Sequence, residues 1–377
     1  MKLWSLPCLC IIIASLLLAG CWDRVEIQDR LFVMGVGIDK LPSKEKKKPR
    51  YRLTVQLTEA QALSGKVKNP NIAPNWNIST AGESIFECIR LMTTRIARKP
   101  FYEHLQVVVI GEELAREGIE KPLDVFLRDQ EMRRKIKLVI AKGEAKDVIE
   151  VKPRLMPVPA RYISIMTEEA QVKSTRIPLM STVGEFASNL HAGSDSMIPR
   201  IEPHTREVKL DGGALFKQDK MVGWLSGEEV KSHRWIVGTK SAGNEVIFLQ
   251  NQKYSTFEVK SSRATIHAVI RDNRPVFHIR IQIEGHIAED GFDHNPTLQK
   301  IREKELLLSK KIKKDVEIVI HKVQRDFQTD IFKFGEQLRR HHYKYWKAHQ
   351  KDWPQVFKEA EVEVQVDTSI RRIGQTK

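Results

Sequence analysis

LFVMGVGID, from Leu31 to Asp39, is a run of apolar and small residues that ends on an acid. YRLTVQLT, from Tyr51 to Thr58, alternates along its length. The first reads as a strand and the second as its antiparallel partner, because a period of two sends alternate side chains to opposite faces. Ala62 to Asn77, with Gly, Pro and Asn, reads as a loop. Working outward, Ile85, Ile89, Met92 and Ile96 recur at helical spacing and predict an amphipathic helix over Gly82–Arg98. HLQVVVIG (His104 to Gly111) and KIKLVIA (Lys135 to Ala141) predict buried strands, with helices over Leu123–Met132 and Glu144–Val151. Strands alternating with helices make a partly parallel sheet with helices packed on it.

Met156-Pro157-Val158-Pro159 breaks that pattern, and helices over Arg161–Gln171 and Val183–His191 follow. Gly193 to Pro203, rich in Gly, Ser and Pro, reads as a domain boundary. Beyond it, Val208–Lys217, Met221–Leu225, Glu245–Leu249, Ser255–Lys260, Ala264–Ile270 and Val276–Ile287 read as strands, with Ser226 capping a helix between the second and third. A long helix starts at Pro296 and buries Ile301, Leu308, Ile312, Val316, Ile320, Val323 and Phe327; a second covers Ile331–Trp346. EVEVQV, Glu361 to Val366, closes the chain as a strand. The expected fold is α+β (mixed α/β), with two to three small domains, each a β-sheet flanked by helices. The expected division is a leader at 1–20, a mixed α/β region at 21–203 holding two subdomains, and an α+β domain at 204–377.

The 377 residues carry a formal net charge of +15, with 41% hydrophobic and 29% charged residues. That balance is of a globular chain and excludes a multi-pass membrane protein. The surplus favours anionic partners, but no zinc finger, RNA-binding aromatic signature or basic recognition helix accompanies it, so it reads as bias towards an anionic membrane or protein face rather than nucleic acid. The basic run Lys44–Arg50 reads as a solvated hairpin tip, with headgroup contact as the functional alternative.

Lys2 followed by the apolar run Leu9–Leu18 has the shape of a signal peptide and is short for a bilayer span. Leu18-Ala19-Gly20-Cys21 then resembles the bacterial lipobox, in which small residues fit a peptidase cleft and the cysteine thiol takes a diacylglyceryl group. Cys21 is therefore the expected site of cleavage and of lipid attachment, placing the chain on the outer face of a membrane. Cys8, Cys10 and Cys21 lie in or beside the leader, which leaves Cys88 alone in the body and no intramolecular disulfide framework.

Enzyme signatures are absent from the sequence: no Gly-x-Ser-x-Gly elbow, His-Glu-x-x-His, phosphate-binding Gly-Lys-Ser/Thr loop or dinucleotide fingerprint. Gly35-x-Gly37 lacks the third glycine and reads as strand backbone at a close approach. Cys88 reads as a buried small hydrophobe and His104 as structural. His341, His342 and His349 are poorly spaced to share an ion. Trp346 and Trp353 with Tyr343 and Tyr345 fit either an aromatic contact surface or core packing. No catalytic residue, metal site or cofactor is expected.

Several stretches, in order, resemble the Ger(x)C spore germination lipoproteins, the C subunits of nutrient germinant receptors. They are Cys21-Trp22-Asp23-Arg24-x-Glu26-Ile27, then Val33-x-Gly35-x-Gly37-Ile38-Asp39, then Phe126-Leu127-Arg128-Asp129-x-Glu131-x-Arg133. Gly213-Ala214-Leu215-Phe216-Lys217-x-Asp219-Lys220-Met221-Val222-Gly223-Trp224-Leu225 follows, and Asp330-Ile331-Phe332-Lys333-Phe334-Gly335 with Trp346 and Trp353 closes the pattern. Lys333 stands where the family pattern leads one to expect a small residue. The resemblance implies three small α/β domains, a place on the outer surface of the spore inner membrane, assembly with A-type and B-type integral-membrane subunits, and no catalysis. The rival readings from sequence are an extracytoplasmic solute-binding lipoprotein and, third, a cell-wall hydrolase.

Overall fold

The computed structural model describes residues 30–42, 50–59, 75–154, 156–237, 243–248, 254–290 and 297–372. The leader, Cys21, Trp22, Asp23 and Glu26 lie outside the described residues, as do most of the Lys44–Arg50 run and residues 62–74. Two sheets organise the chain. The first has nine strands in the order β3-β2-β1-β5-β6-β7-β8-β9, with β4 beside β1. Its strands are β1 (Arg30–Lys40), β2 (Tyr51–Glu59), β3 (Asn75–Gly82), β4 (Lys99–Phe101), β5 (Val107–Gly111), β6 (Lys137–Ala141), β7 (Ser196–Pro203), β8 (Val208–Lys217) and β9 (Lys220–Leu225). β1, β5, β6 and β7 pair in parallel, and the hairpin strands are antiparallel.

Both faces of this sheet are covered, which is why β1 and β5 read as continuous apolar runs. One face packs on α1 (Ile85–Thr93), α2 (Glu112–Glu117), α3 (Glu120–Arg128) and α6 (Val183–His191), and the other on α4 (Ala145–Ile149) and α5 (Pro159–Lys173). Helix α1 buries Ile85, Cys88 and Met92, with Ile89 and Ile96 packed at the edge of the same core.

The second sheet runs β10 (Gly243–Phe248), β11 (Tyr254–Arg271), β12 (Arg274–Asp290) and β13 (Glu361–Arg372), the last pairing in parallel with β12. Its core is closed by α7 (Gly227–Val237) and the 25-residue α8 (Leu298–Lys322), which buries Leu308, Ile312, Val316, Val319 and Ile320. A π-helical turn at Val323–Phe327 ends α8, and α9 (Phe334–His341), α10 (Tyr343–His349) and α11 (Trp353–Glu359) complete the crossover to β13.

Several expectations are corrected. The Gly193–Pro203 stretch carries β7, inside the first sheet, and β8 and β9 extend that sheet rather than opening a second block. Pro199 sits beside the β7–β8 register shift between Pro199 and Ile201, the kind of irregularity at which sheets tolerate proline. The expected Ser255–Lys260 and Ala264–Ile270 strands are one strand, β11, whose polar middle is absorbed by a register shift between Val259 and Ser261. Thr297 caps α8, its hydroxyl accepting the Lys300 N–H at 3.4 Å, and Pro296 lies outside the described residues. The expected helix over Ile331–Trp346 is broken at His342, whose backbone leaves the helical region while its Nε2 bonds the Ala268 carbonyl at 2.8 Å.

Candidate functional site

The Gly-x-Gly-Ile-Asp motif is a packing device. A Cβ on Gly35 would lie 2.5 Å from Ala160 Cβ, and one on Gly37 3.1 Å from the Ala145 backbone, so α5 and α4 lean directly on β1. Asp39, buried at the end of β1, accepts the Ala145 N–H at 2.6 Å and the Lys146 N–H at 3.0 Å, and Arg52 donates to it at 3.2 Å. Its carboxylate satisfies the first turn of α4. Burial pushes the Asp39 carboxyl upward against these donors.

The second motif ties the helices to the far half of the same sheet. Trp224 donates from its indole to Glu112 at 3.1 Å, and Phe216 meets Phe186 edge-on at 5.6 Å. The Asp219 carbonyl accepts the Ile119 N–H at 3.0 Å. Gly213 is closed in by Pro178 and Met197. At Gly223 the first sheet meets the π-helical turn, where a Cβ would sit 2.2 Å from Phe327.

The third motif centres on Asp330, which the sequence places in the pattern but gives no role. Its carboxylate accepts the Phe334 N–H at 2.9 Å, the Gly335 N–H at 2.7 Å and the Trp353 indole N–H at 3.1 Å. Its own N–H donates to Asp195 at 2.7 Å, and the Gln218 N–H reaches the other Asp195 oxygen at 3.3 Å. Asp195 thereby links the first sheet to the C-terminal unit. Burial pushes Asp330 up to about 6, and Asp195 upward too. Phe332 stacks on Phe334 at 5.3 Å. Gly335 is small because Trp346 and Trp353 close on it, 2.8 and 3.0 Å from where a Cβ would be. Core packing accounts for Trp353 and for one face of Trp346, whereas Tyr343 is exposed. Lys333 has φ 62° and ψ 34°, the left-handed conformation in which a Cβ is strained, which explains why a small residue is expected there.

Beside this junction a cleft of about 960 Å³ opens between the two sheet units, with Arg134, Lys135 and Glu185 on one wall and Lys333, Glu336 and Arg340 on the other. His233 borders it, bonded through Nε2 to the Ile331 carbonyl at 3.0 Å; burial pushes its pKa down to about 4. Cys88 is buried and its thiol is pushed up to about 11 by burial, the opposite of what a nucleophile needs. His342 and His349 bond backbone carbonyls of Ala268 and Tyr345. Among the described residues, no group of three His, Cys, Asp or Glu side chains is placed to hold a metal ion, and no helix is long and apolar enough to cross a membrane.

The motifs thus serve the internal joints of the fold. Residues 23–203 match the family model for the spore germination protein N-terminal domain, and residues 211–374 match the model described as spore germination B3/GerAC like, C-terminal. The chain belongs to the Ger(x)C family. Among Ger(x)C relatives, the spore germination protein B3 of Bacillus subtilis (strain 168) is 30% identical over 369 residues, covering 95% of each chain. The spore germination protein A3 of the same organism is 27% identical over 374 residues, covering 97% of each. A crystal structure of the GerBC protein superposes with a TM-score of 0.61 at 25% identity, covering 89% of this chain and 97% of that one. In this Ger(x)C chain the first family model ends with β7 and the second begins within β8, neighbouring strands of one sheet.

Proposed function

We propose that this chain is the lipid-anchored, non-catalytic subunit of a spore germinant receptor, required for nutrient-triggered germination and acting by assembly with A-type and B-type integral-membrane subunits. The observation that carries the reading is the match to both Ger(x)C domain models, in order, over nearly the whole chain. The lipobox ending at Cys21 supports attachment to the outer surface of the spore inner membrane. The motif side chains support a scaffold role, since Asp39, Trp224 and Asp330 are engaged in internal hydrogen bonds. A lipid tether confines the subunit to the membrane plane and raises its effective concentration towards its partners. Loss of the tether therefore impairs assembly more than folding: a Cys21→Ala chain folds normally, leaves the membrane fraction and supports germination poorly. Normal germination with that soluble chain overturns the proposal.

One observation favours a second reading, direct capture of a nutrient. The cleft between the sheet units, about 960 Å³, has the volume of a small-molecule site. Calorimetric titration with amino acids and sugars tests it, and saturable micromolar heats support it.

A further inference from the structure

β1, β4, β5, β6 and β7 all run the same way, so their first residues share one edge of the sheet. Arg30 opens β1 on that edge, and only eight residues lie between it and Cys21, a reach of at most about 30 Å. The described residues that flank the basic run, Leu41 and Arg50, lie at the opposite edge. They meet where the Leu41 N–H donates to the Arg50 carbonyl at 2.8 Å, beyond the far end of the 11-residue β1, about 35 Å from Arg30.

A different set of cations lies on the Arg30 edge. Arg133, Arg134 and Lys135, in the loop entering β6, are consecutive and exposed, and among the described residues their side chains have no partner. Their backbone is held firmly: the Ile136 N–H donates to the Arg133 carbonyl at 3.2 Å, the Gly184 N–H to the Arg134 carbonyl at 2.9 Å, and the Val183 N–H to the Ile136 carbonyl at 3.0 Å. The neighbouring cations Arg98 and Lys99 are answered by Glu59 and Glu131, and exposed acids near the loop include Glu103, Asp129 and Glu185, the last holding the Thr182 N–H and hydroxyl. Across the cleft Lys333 adds a further exposed cation, without an ion-pair partner among the described residues.

We infer that this edge is the surface the protein turns towards an anionic membrane, with the Arg133–Lys135 loop on the lipid headgroups. The inference rests on the lipid-anchored reading of Cys21. A tether short enough to hold Arg30 near the bilayer brings this edge, and not the end where Leu41 and Arg50 meet, to the headgroups, where each added cation strengthens binding.

Two measurements test it. In the lipidated chain on phosphatidylglycerol vesicles carrying a headgroup quencher, a fluorophore attached through Lys135→Cys is quenched and one attached through Lys47→Cys is not. Stronger quenching at 47, or none at either, overturns the inference. In the unlipidated Cys21→Ala chain, replacing Arg133, Arg134 and Lys135 by Ala weakens binding to phosphatidylglycerol vesicles about a hundredfold. Replacing Lys46, Lys47 and Lys48 by Ala leaves binding nearly unchanged. Equal losses, or no loss from the first set, overturn it, with the melting temperature as the check on folding. If the unlipidated chain depends on the Arg133–Lys135 loop while the wild-type chain is found untethered in cells, the anchoring reading fails and the basic edge stands.

Discussion

Asp330→Ala removes the one acceptor that serves three buried donors at the junction of the two units. The N–H groups of Phe334 and Gly335 lose the carboxylate that caps α9, a change typically worth about 1–2 kcal/mol. The Trp353 indole N–H is left without its acceptor, at about 1–3 kcal/mol. Against these, alanine removes a charge that is costly to bury: a carboxyl titrating at about 6 rather than 3.8 has lost about 3 kcal/mol of preference for its charged form. Set against lost bonds worth about 2–5 kcal/mol, that relief leaves a net loss at pH 7 of about 1 kcal/mol. The sign with pH follows from proton binding. Between pH 3.8 and 6 the folded wild type holds a proton on Asp330 that the unfolded chain has released. The stability contributed by Asp330 is therefore greatest below about pH 4 and falls as pH rises to about 6. The gap between wild type and variant should widen by up to about 3 kcal/mol on going from pH 7 to pH 4. Urea unfolding of the leaderless chains, followed by tryptophan fluorescence at several pH values, measures it. A gap that stays the same or narrows on acidification refutes the reasoning.

Lys333→Gly relieves the left-handed backbone at φ 62° and should stabilise the protein by about 1 kcal/mol, read as a higher urea midpoint. Gly223→Ala drives a methyl group to within 2.2 Å of Phe327 and should cost about 2 kcal/mol, with Phe327→Leu restoring part of the loss in the double variant. In a leaderless Cys21→Ala chain, Cys88 is the single thiol; because it is buried and pushed up to about 11, it should resist Ellman's reagent at pH 8 until urea unfolds the protein.

The parts of the fold legible in the sequence are those with unbroken periodicity. Val183–His191 is predicted and found with the same limits, because Thr182 and Glu185 form a capping box around a clear apolar stripe. β1 and β2 are found in the expected antiparallel pairing, since their face patterns agree. Where composition and context conflict, context decides. Ser196–Pro203 looks like a linker by its Ser and Pro, yet neighbours on both sides supply its ladder and a register shift excuses its proline. β3 is hidden by the polar opening of Asn75-Trp76-Asn77, which an edge strand tolerates. At the candidate site, glycines and tryptophans mark the joints, but the linkage of Asp195 to Asp330, 135 positions apart, leaves no trace in local pattern. Nor does sequence proximity place Arg133–Lys135 on the edge where Arg30 begins; only the parallel order of the strands does so.

The central claim is that this chain works as one subunit of a membrane receptor. Affinity capture of the tagged protein from detergent-solubilised spore inner membranes, with mass spectrometry of what accompanies it, tests that claim most directly. The account predicts that A-type and B-type germination subunits come out with it. Recovery of the chain alone, or with an ABC-type permease, contradicts it.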